Sequence, residues 1–345
     1  MELSQDSQRN QPVRSRRRTA GRVIACLIAA AALAAGCSST GGKQESSSGG
    51  GGTNTADTPR MTIAMITHEQ PGDSFWDLIR KGAQAAADKD NFELRYSNKN
   101  VGPDQATLVQ SAIDSKVDGL AVTMAFPDAV GPVVEKAVAA GIPVTVFNQG
   151  KDQALAAGAM SYFGQDEKLA GSDAGKKLTE EGATKVICVI QEQGSVALED
   201  RCAGVKEGFT GGTMEILNVN GADMPSVEST ITAKLQQDPG IDRVMTLGAP
   251  IALTAVKSVA NAGSQAKVAT FDTNAALVDA VKSGDVEWAI DQQPFLQGYL
   301  AVDQLWLYLT NKNIIGGGKP VLTGPSFIDK SNIDSIAELA KQGTR

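Results

Sequence analysis

From Met61 onward, short β-rich apolar runs alternate with longer stretches whose apolar positions recur at helical spacing. The runs are MTIAMIT, FELRYS, GLAVTM and PVTVFN, and each of the first three is followed by an amphipathic segment. Strand and helix in strict alternation predict a parallel sheet covered by helices on both faces, because such strands are buried on both sides and read as continuous apolar runs. After residue 163 the same grammar resumes with KVICVIQ, TMEILNVN, DRVMTLG, KVATFD and VEWAIDQ. The pattern predicts an α/β protein of two Rossmann-like, doubly wound parallel-sheet lobes.

The halves also match in detail. Asp118-Gly119-Leu120-Ala121-Val122-Thr123 followed by Pro127 parallels Asp242-Arg243-Val244-Met245-Thr246-Leu247 followed by Pro250. Gly141 with Val144 to Asn148 parallels Gly263 with Val268 to Asp272, and Asp118 to Asp242 and Asn148 to Asp272 are both separations of 124 residues. Two βαβ units that keep one offset are copies of one sheet domain. In open parallel sheets ligands bind beyond the carboxyl ends of the strands, so two such lobes with facing strand ends make a cleft. The candidate contacts are the polar and aromatic residues after each strand: His68 to Trp76, with Asp73, Phe75 and Trp76 foremost, then Thr123 and Met124, Asn148 with Gln149, Glu192, Gly248, Asp272, and Asp291 with Gln292. His68, the only histidine, is expected at the rim.

The N-terminal residues follow another logic. Arg14, Arg16, Arg17, Arg18 and Arg22 precede an apolar stretch from Val23 to Ala35 that ends in small residues, the pattern of a secretion signal. That stretch is shorter than the ~20 residues a bilayer core requires. Leu33-Ala34-Ala35-Gly36-Cys37 is similar to a bacterial lipobox, with Ala34 where the motif usually has Leu, and implies a diacylated Cys37 as the mature N-terminus. Ser, Gly, Thr and Asn dominate from Ser38 to Thr58 with nothing to bury, as in a flexible tether. The expected organisation is a lipoprotein signal peptide at 1–36 and a lipidated Cys with linker at 37–59. One lobe is expected from 60–162 plus 293–322, the other from 163–292 plus 323–345. Localisation is expected to be extracytoplasmic, tethered to the cell membrane.

Composition adds exclusions. The leader carries six of the 32 basic and two of the 39 acidic residues, which leaves 26 against 37, a net charge of −11. Nucleic acid and anionic lipid surfaces both need clustered Lys and Arg, so neither is expected as a partner. Of four cysteines, Cys26 leaves with the leader and Cys37 carries lipid. Cys188 and Cys202 remain, and an even pair in an exported chain reads as a disulfide. A single histidine leaves no Ser-His-Asp set beyond one built on His68, and neither a phosphate loop nor metal-ligand spacing is present. An enzyme is not expected, nor a metal or other cofactor.

At this point the chain resembles the type I periplasmic binding proteins of the ribose-binding kind. The matching stretches are Gly72-Asp73-Ser74-Phe75-Trp76, Asp118-Gly119-Leu120 with Pro127-Asp128-Ala129-Val130, Gly141-Ile142-Pro143-Val144, Arg201-Cys202-Ala203-Gly204, Phe271-Asp272 and Gln292-Gln293-Pro294. They keep the family's order over about residues 60 to 330. The resemblance implies a three-strand hinge, with crossovers near Ser161-Tyr162-Phe163, Gln292-Gln293 and Val321-Leu322-Thr323. It also implies a monomer that captures a small sugar or polyol and hands it to an ABC transporter permease.

Carried over by position, Phe75 and Trp76 match the family's stacking aromatics, Asp272 its ligand-binding carboxylate, Gln292 its hydroxyl-binding amide, and Arg201 a cleft arginine. The chemistry suits a sugar, which offers C–H faces to aromatic rings and hydroxyls to planar polar groups. The alternative for Phe75-Trp76 is a hydrophobic anchor at a helix start, and for Asp272 a helix N-cap. Four positions depart from the family: Asn148-Gln149 replaces an Asp-Arg pair, Glu199 stands where a second arginine would be, and Thr123 replaces an Asn. Fewer cationic donors point away from ribose and from phosphorylated ligands, toward a neutral polyol, cyclitol or hexose. A ligand-sensing role, with the same clamp presented to a chemoreceptor or sensor kinase, is the alternative to transport.

Overall fold

A computed structural model describes residues 55–70 and 73–345. The leader, Cys37, the linker up to residue 54, and Gly72 of the first matching stretch lie outside the described residues.

The first sheet holds β1 (Thr62–Thr67), β2 (Glu93–Asn98), β3 (Gly119–Val122), β4 (Val144–Phe147), β5 (Ser161–Gly164) and β11 (Val321–Leu322), in the order β11-β5-β4-β3-β1-β2. All its pairings are parallel. The second holds β6 (Lys185–Ile190), β7 (Thr213–Asn218), β8 (Arg243–Thr246), β9 (Lys267–Phe271), β10 (Val286–Asp291) and β12 (Ser326–Asp329), in the order β12-β10-β9-β8-β6-β7. Only β12 runs antiparallel, against β10. The same order recurs in both sheets, as the sequence offset requires. Segments expected as crossovers at 161–163 and 321–322 are strands β5 and β11 at one edge of the first sheet.

The inner strands of each sheet are buried on both faces, while the edge strands β2 and β7 are partly exposed. On β1, Ile63 and Met65 join one apolar cluster while Ala64 and Ile66 join the other. On β6, Ile187 and Val189 face one side, and Val186, Cys188 and Ile190 the other. This two-residue alternation with no wet face is why the strands read as uninterrupted apolar runs.

The helices between strands cover these faces. In the first lobe they are α1 (Phe75–Asp90), α2 (Gly102–Asp114), α3 (Pro127–Ala139), α4 (Lys151–Ala156) and α10 (Pro294–Asn311). In the second they are α5 (Glu167–Glu180), α6 (Val196–Gly208), α7 (Met224–Gln237), α8 (Ala249–Ala262), α9 (Ala275–Ser283) and α11 (Asp334–Gln342). Helix pairs α1–α10 and α5–α6 cross at glycine: a Cβ on Gly298 would sit 2.1 Å from the Ile79 carbonyl oxygen, and one on Gly204 2.2 Å from that of Lys168. Cys188 on β6 and Cys202 on α6 are joined by a disulfide inside the core.

Equivalent aspartates begin the matching strands of the repeat. Asp118 accepts from the Thr62 N–H at 2.7 Å and Asp242 from the Thr184 N–H at 2.8 Å, each tying the start of a neighbouring strand. The chain passes between the sheets three times, between β5 and α5, β10 and α10, and β11 and β12. Thr323 N–H donates to the Gly164 carbonyl at 2.7 Å, and the Gln293 side-chain amide donates to the Thr323 carbonyl at 2.7 Å, so the three crossings brace one another.

Candidate functional site

The carboxyl ends of both sheets converge on a cavity of about 250 Å³. One wall is His68, Gln70, Asp73, Phe75 and Trp76 from the β1–α1 connection, with Asn148 and Gln149 after β4. The opposite wall is Gln191 and Glu192 after β6, Arg201 of α6, the turns before α7 and α8, and Asp272 after β9. Gln292 closes the hinge side. The size is just below the roughly 300–1,000 Å³ usual for ligand pockets and suits a single small ring.

Trp76 is 4% exposed and stands nearly perpendicular to its neighbours, with its ring centroid 4.7 Å from that of His68 and 5.3 Å from that of Phe75. Phe75 and Trp76 also belong to one packed cluster with α10. Adjacent positions of a helix face different directions, but both are buried here because the first turn of α1 is enclosed by core and cavity together. Asp73 is pinned by accepting from the Phe75 N–H at 3.0 Å.

Behind Trp76 runs a polar relay. The Gln149 side-chain N–H donates to His68 Nε2 at 2.8 Å, so the ring proton sits on Nδ1 and donates to Thr123 Oγ1 at 2.7 Å. Gln105 anchors Thr123 through its carbonyl at 2.8 Å. Expected at the rim, His68 is instead 2% exposed, and burial pushes its pKa down to about 3, which keeps the ring neutral. Thr123, Met124 and Asp291 do not line the cavity: Thr123 is buried behind His68 and orients that ring, Met124 packs into the core of the first lobe, and Asp291 pairs with Arg345.

Arg201 is held by the protein itself. Its Nε and one terminal nitrogen grip Glu167 at 2.6 and 3.1 Å, another donates to the Leu247 carbonyl at 3.0 Å, and its plane lies 4.6 Å over Phe271. The nearest oxygen of Asp272 is 3.7 Å away. Asp272 accepts from Gln292 Nε2 at 2.7 Å, and Gln292 Oε1 accepts from Asn148 Nδ2 at 3.3 Å and Gln297 Nε2 at 2.8 Å. Asp272 is not a helix cap, since Asn274 fills that role toward the Leu277 N–H. Burial pushes the Asp272 carboxyl up to about 7 against the pull of Arg201, pushes Glu192 up to about 7, and raises Asp73.

Lobe-to-lobe hydrogen bonds flank the cavity. Ser195 Oγ donates to Gln149 Oε1 at 2.9 Å, the Val196 N–H to the Ala125 carbonyl at 3.3 Å, and Asn274 Nδ2 to Ser74 Oγ at 3.2 Å. The lobes are therefore drawn together over the site.

A family model of the periplasmic binding protein domain matches residues 63–313. The chain belongs to the periplasmic binding proteins. A crystallised carbohydrate transporter from Acidothermus cellulolyticus 11B, in complex with myo-inositol, is 57% identical, superposes with a TM-score of 0.82, and is matched over 83% of this chain and 100% of its own. The xylose/arabinose-binding protein XylF of Sulfolobus acidocaldarius is 26% identical over 250 residues, 67% of this chain. That match spans 62% of XylF, somewhat less than two thirds of it. The D-ribose/D-allose-binding protein of Pseudomonas aeruginosa is 27% identical over 257 residues, 69% of this chain and 78% of that one.

Within this periplasmic binding protein the cavity gathers Asp73, Phe75, Trp76, Asn148, Gln149, Glu192, Arg201, Asp272 and Gln292. It also recruits Gln191, Leu198, Ala222, Met224, Pro250 and Ile251, which strand-end reasoning passed over. The apolar members among these read as core in the sequence. Pro250, the counterpart of Pro127 in the repeat, carried the one usable signal.

Proposed function

We propose that this protein is an extracytoplasmic solute-binding lipoprotein that captures a neutral sugar, polyol or cyclitol between its lobes and delivers it to an ABC importer. The observation that carries the reading is the cavity itself. Its Trp76 and Phe75 offer apolar surface to a ring, while Asp272, Gln292, Asn148 and Gln149 offer acceptors and amides to hydroxyls. The solved relative bound to myo-inositol makes a cyclitol the leading candidate.

Lobe closure is the signal a permease reads. A ligand held by residues of both lobes binds the closed form better and shifts the hinge equilibrium toward it. We place the lobes at 60–162 plus 293–322 and at 163–292 plus 323–345. The leader and Cys37 support a lipid tether after cleavage at residue 36, and the protein acts as a monomer.

A thermal-shift screen of the full-length protein over cyclitols, pentoses, hexoses and linear polyols tests the ligand class. A true ligand at 100 times its Kd adds about 2.7 kcal/mol of stability. The reading expects myo-inositol or a close isomer to give a saturating shift, and a flat response across the whole panel contradicts it. Mass spectrometry of the membrane fraction is expected to find diacylated Cys37 at the N-terminus; a mature protein beginning elsewhere contradicts the tether.

A further inference from the structure

We propose that the cavity takes an amino-substituted polyhydroxy ring, an aminocyclitol or amino sugar, in preference to its neutral counterpart, with the ammonium group set between Asp73 and Glu192. The inference rests on the reading that this cavity holds a polyhydroxy ring, and adds the charge of the preferred ring.

The charges lining the cavity do not balance. Asp73, Glu192 and Asp272 all line it, and Arg201 is the one Lys or Arg among the lining residues. Arg201 is already matched by the buried carboxylate of Glu167, which grips it through two nitrogens. His68 contributes no charge, because both ring nitrogens are engaged and burial keeps the ring neutral. Asp272 faces Arg201 at 3.7 Å, whereas no Lys or Arg among the lining residues is left to answer Asp73 and Glu192.

Asp73 and Glu192 stand on opposite lobes, one after β1 and one after β6, so a group placed between them is clasped as the lobes close. Glu192 Oε1 and the neighbouring Gln191 Oε1 are shielded from water and lack a hydrogen-bond partner among the described residues. Both are acceptors in need of donors. A hydroxyl supplies one hydrogen and leaves the charge where it was, whereas an ammonium supplies three hydrogens and a positive charge. Charge-assisted hydrogen bonds are about twice as strong as neutral ones, and the gain grows in a low-dielectric enclosure. The electrostatics agree: burial, with the charge of Asp73, holds the Glu192 carboxyl above its ordinary range in spite of a hydrogen bond from Gln70, and a cation relieves that.

The test is isothermal titration of the full-length protein at neutral pH with myo-inositol and with each monoamino-monodeoxy-myo-inositol. At least one amino derivative is expected to bind roughly tenfold tighter than myo-inositol. In Glu192→Gln, and separately in Asp73→Asn, the ratio of amine to neutral affinity is expected to fall toward one. If myo-inositol binds and every amine is equal or weaker, this inference fails and the polyhydroxy reading stands. If an amine binds tighter but neither variant changes the ratio, the placement between Asp73 and Glu192 is overturned. If no probe of either kind binds, both readings fall together.

Discussion

Asn148 and Asp272 are counterparts in the internal repeat, and they grip Gln292 from opposite sides. Each ends the equivalent strand of its sheet in the left-handed region, at φ 64° and 65°, a conformation that Asn and Asp tolerate better than most residues. The backbone N–H of Asn148 donates to Phe163 and that of Asp272 to Ile290, both at 2.8 Å. Gln292, at the crossing between β10 and α10, donates to Asp272 and accepts from Asn148. One amide at the hinge therefore reports on both lobes and on the cavity between them.

The raised Asp272 carboxyl makes a pH-dependent prediction. Its pKa rises from 3.8 to about 7 on folding, so between those values the folded state holds more protons than the unfolded one. Stability from this group is then full below about pH 4 and lost as pH rises through about 7. The melting temperature of ligand-free Asp272→Asn is expected to gain on wild type steadily from about pH 4 to about pH 8. His68, lowered to about 3, works in the other direction but is common to both proteins and cancels in the difference. A difference that does not change with pH would mean that Asp272 is ionised throughout.

Ser195 tests the closure without touching the ligand. It does not line the cavity, yet its hydroxyl joins the lobes through Gln149 Oε1 and is fully buried. Ser195→Ala removes one neutral hydrogen bond and leaves that oxygen unpaired, at a cost of about 1 kcal/mol, or roughly fivefold in ligand affinity. Small-angle scattering is expected to show a more open ligand-free ensemble. Unchanged affinity and scattering would show that this contact does not hold the lobes.

The Cys188–Cys202 bond closes a loop with a sequence separation of 14, for which chain-entropy reasoning gives about 3 kcal/mol. The double Cys→Ala variant is expected to lose that much in urea denaturation while keeping ligand affinity, since neither sulfur lines the cavity. An unchanged midpoint contradicts a structural role for the bond.

The repeat was legible because its signal is local: continuous apolar strands alternating with helices, aspartates at the starts of the matching strands, and one offset of 124 residues. Strand-end logic likewise reached Trp76, Asp272 and Gln292. His68 escaped it. Its burial comes from Thr123, 55 residues away, and Gln149, 81 away, and no pattern near His68 records either contact. Thr123 sits at a strand end like the others, but a neighbouring ring stands between it and the cavity, which depends on how side chains layer. Met224 and Ile251 were invisible for a different reason: an apolar residue at a helix start looks the same in sequence whether it faces a core or a ligand.

The central claim is that the cavity holds a polyhydroxy ring against Trp76 with Asp272 on its hydroxyls, and calorimetric titration of wild type, Trp76→Ala and Asp272→Ala with myo-inositol tests it most directly. Wild type is expected to bind one equivalent, with Trp76→Ala weaker by about 1–3 kcal/mol and Asp272→Ala by at least as much. Two variants that bind as tightly as wild type would contradict the account.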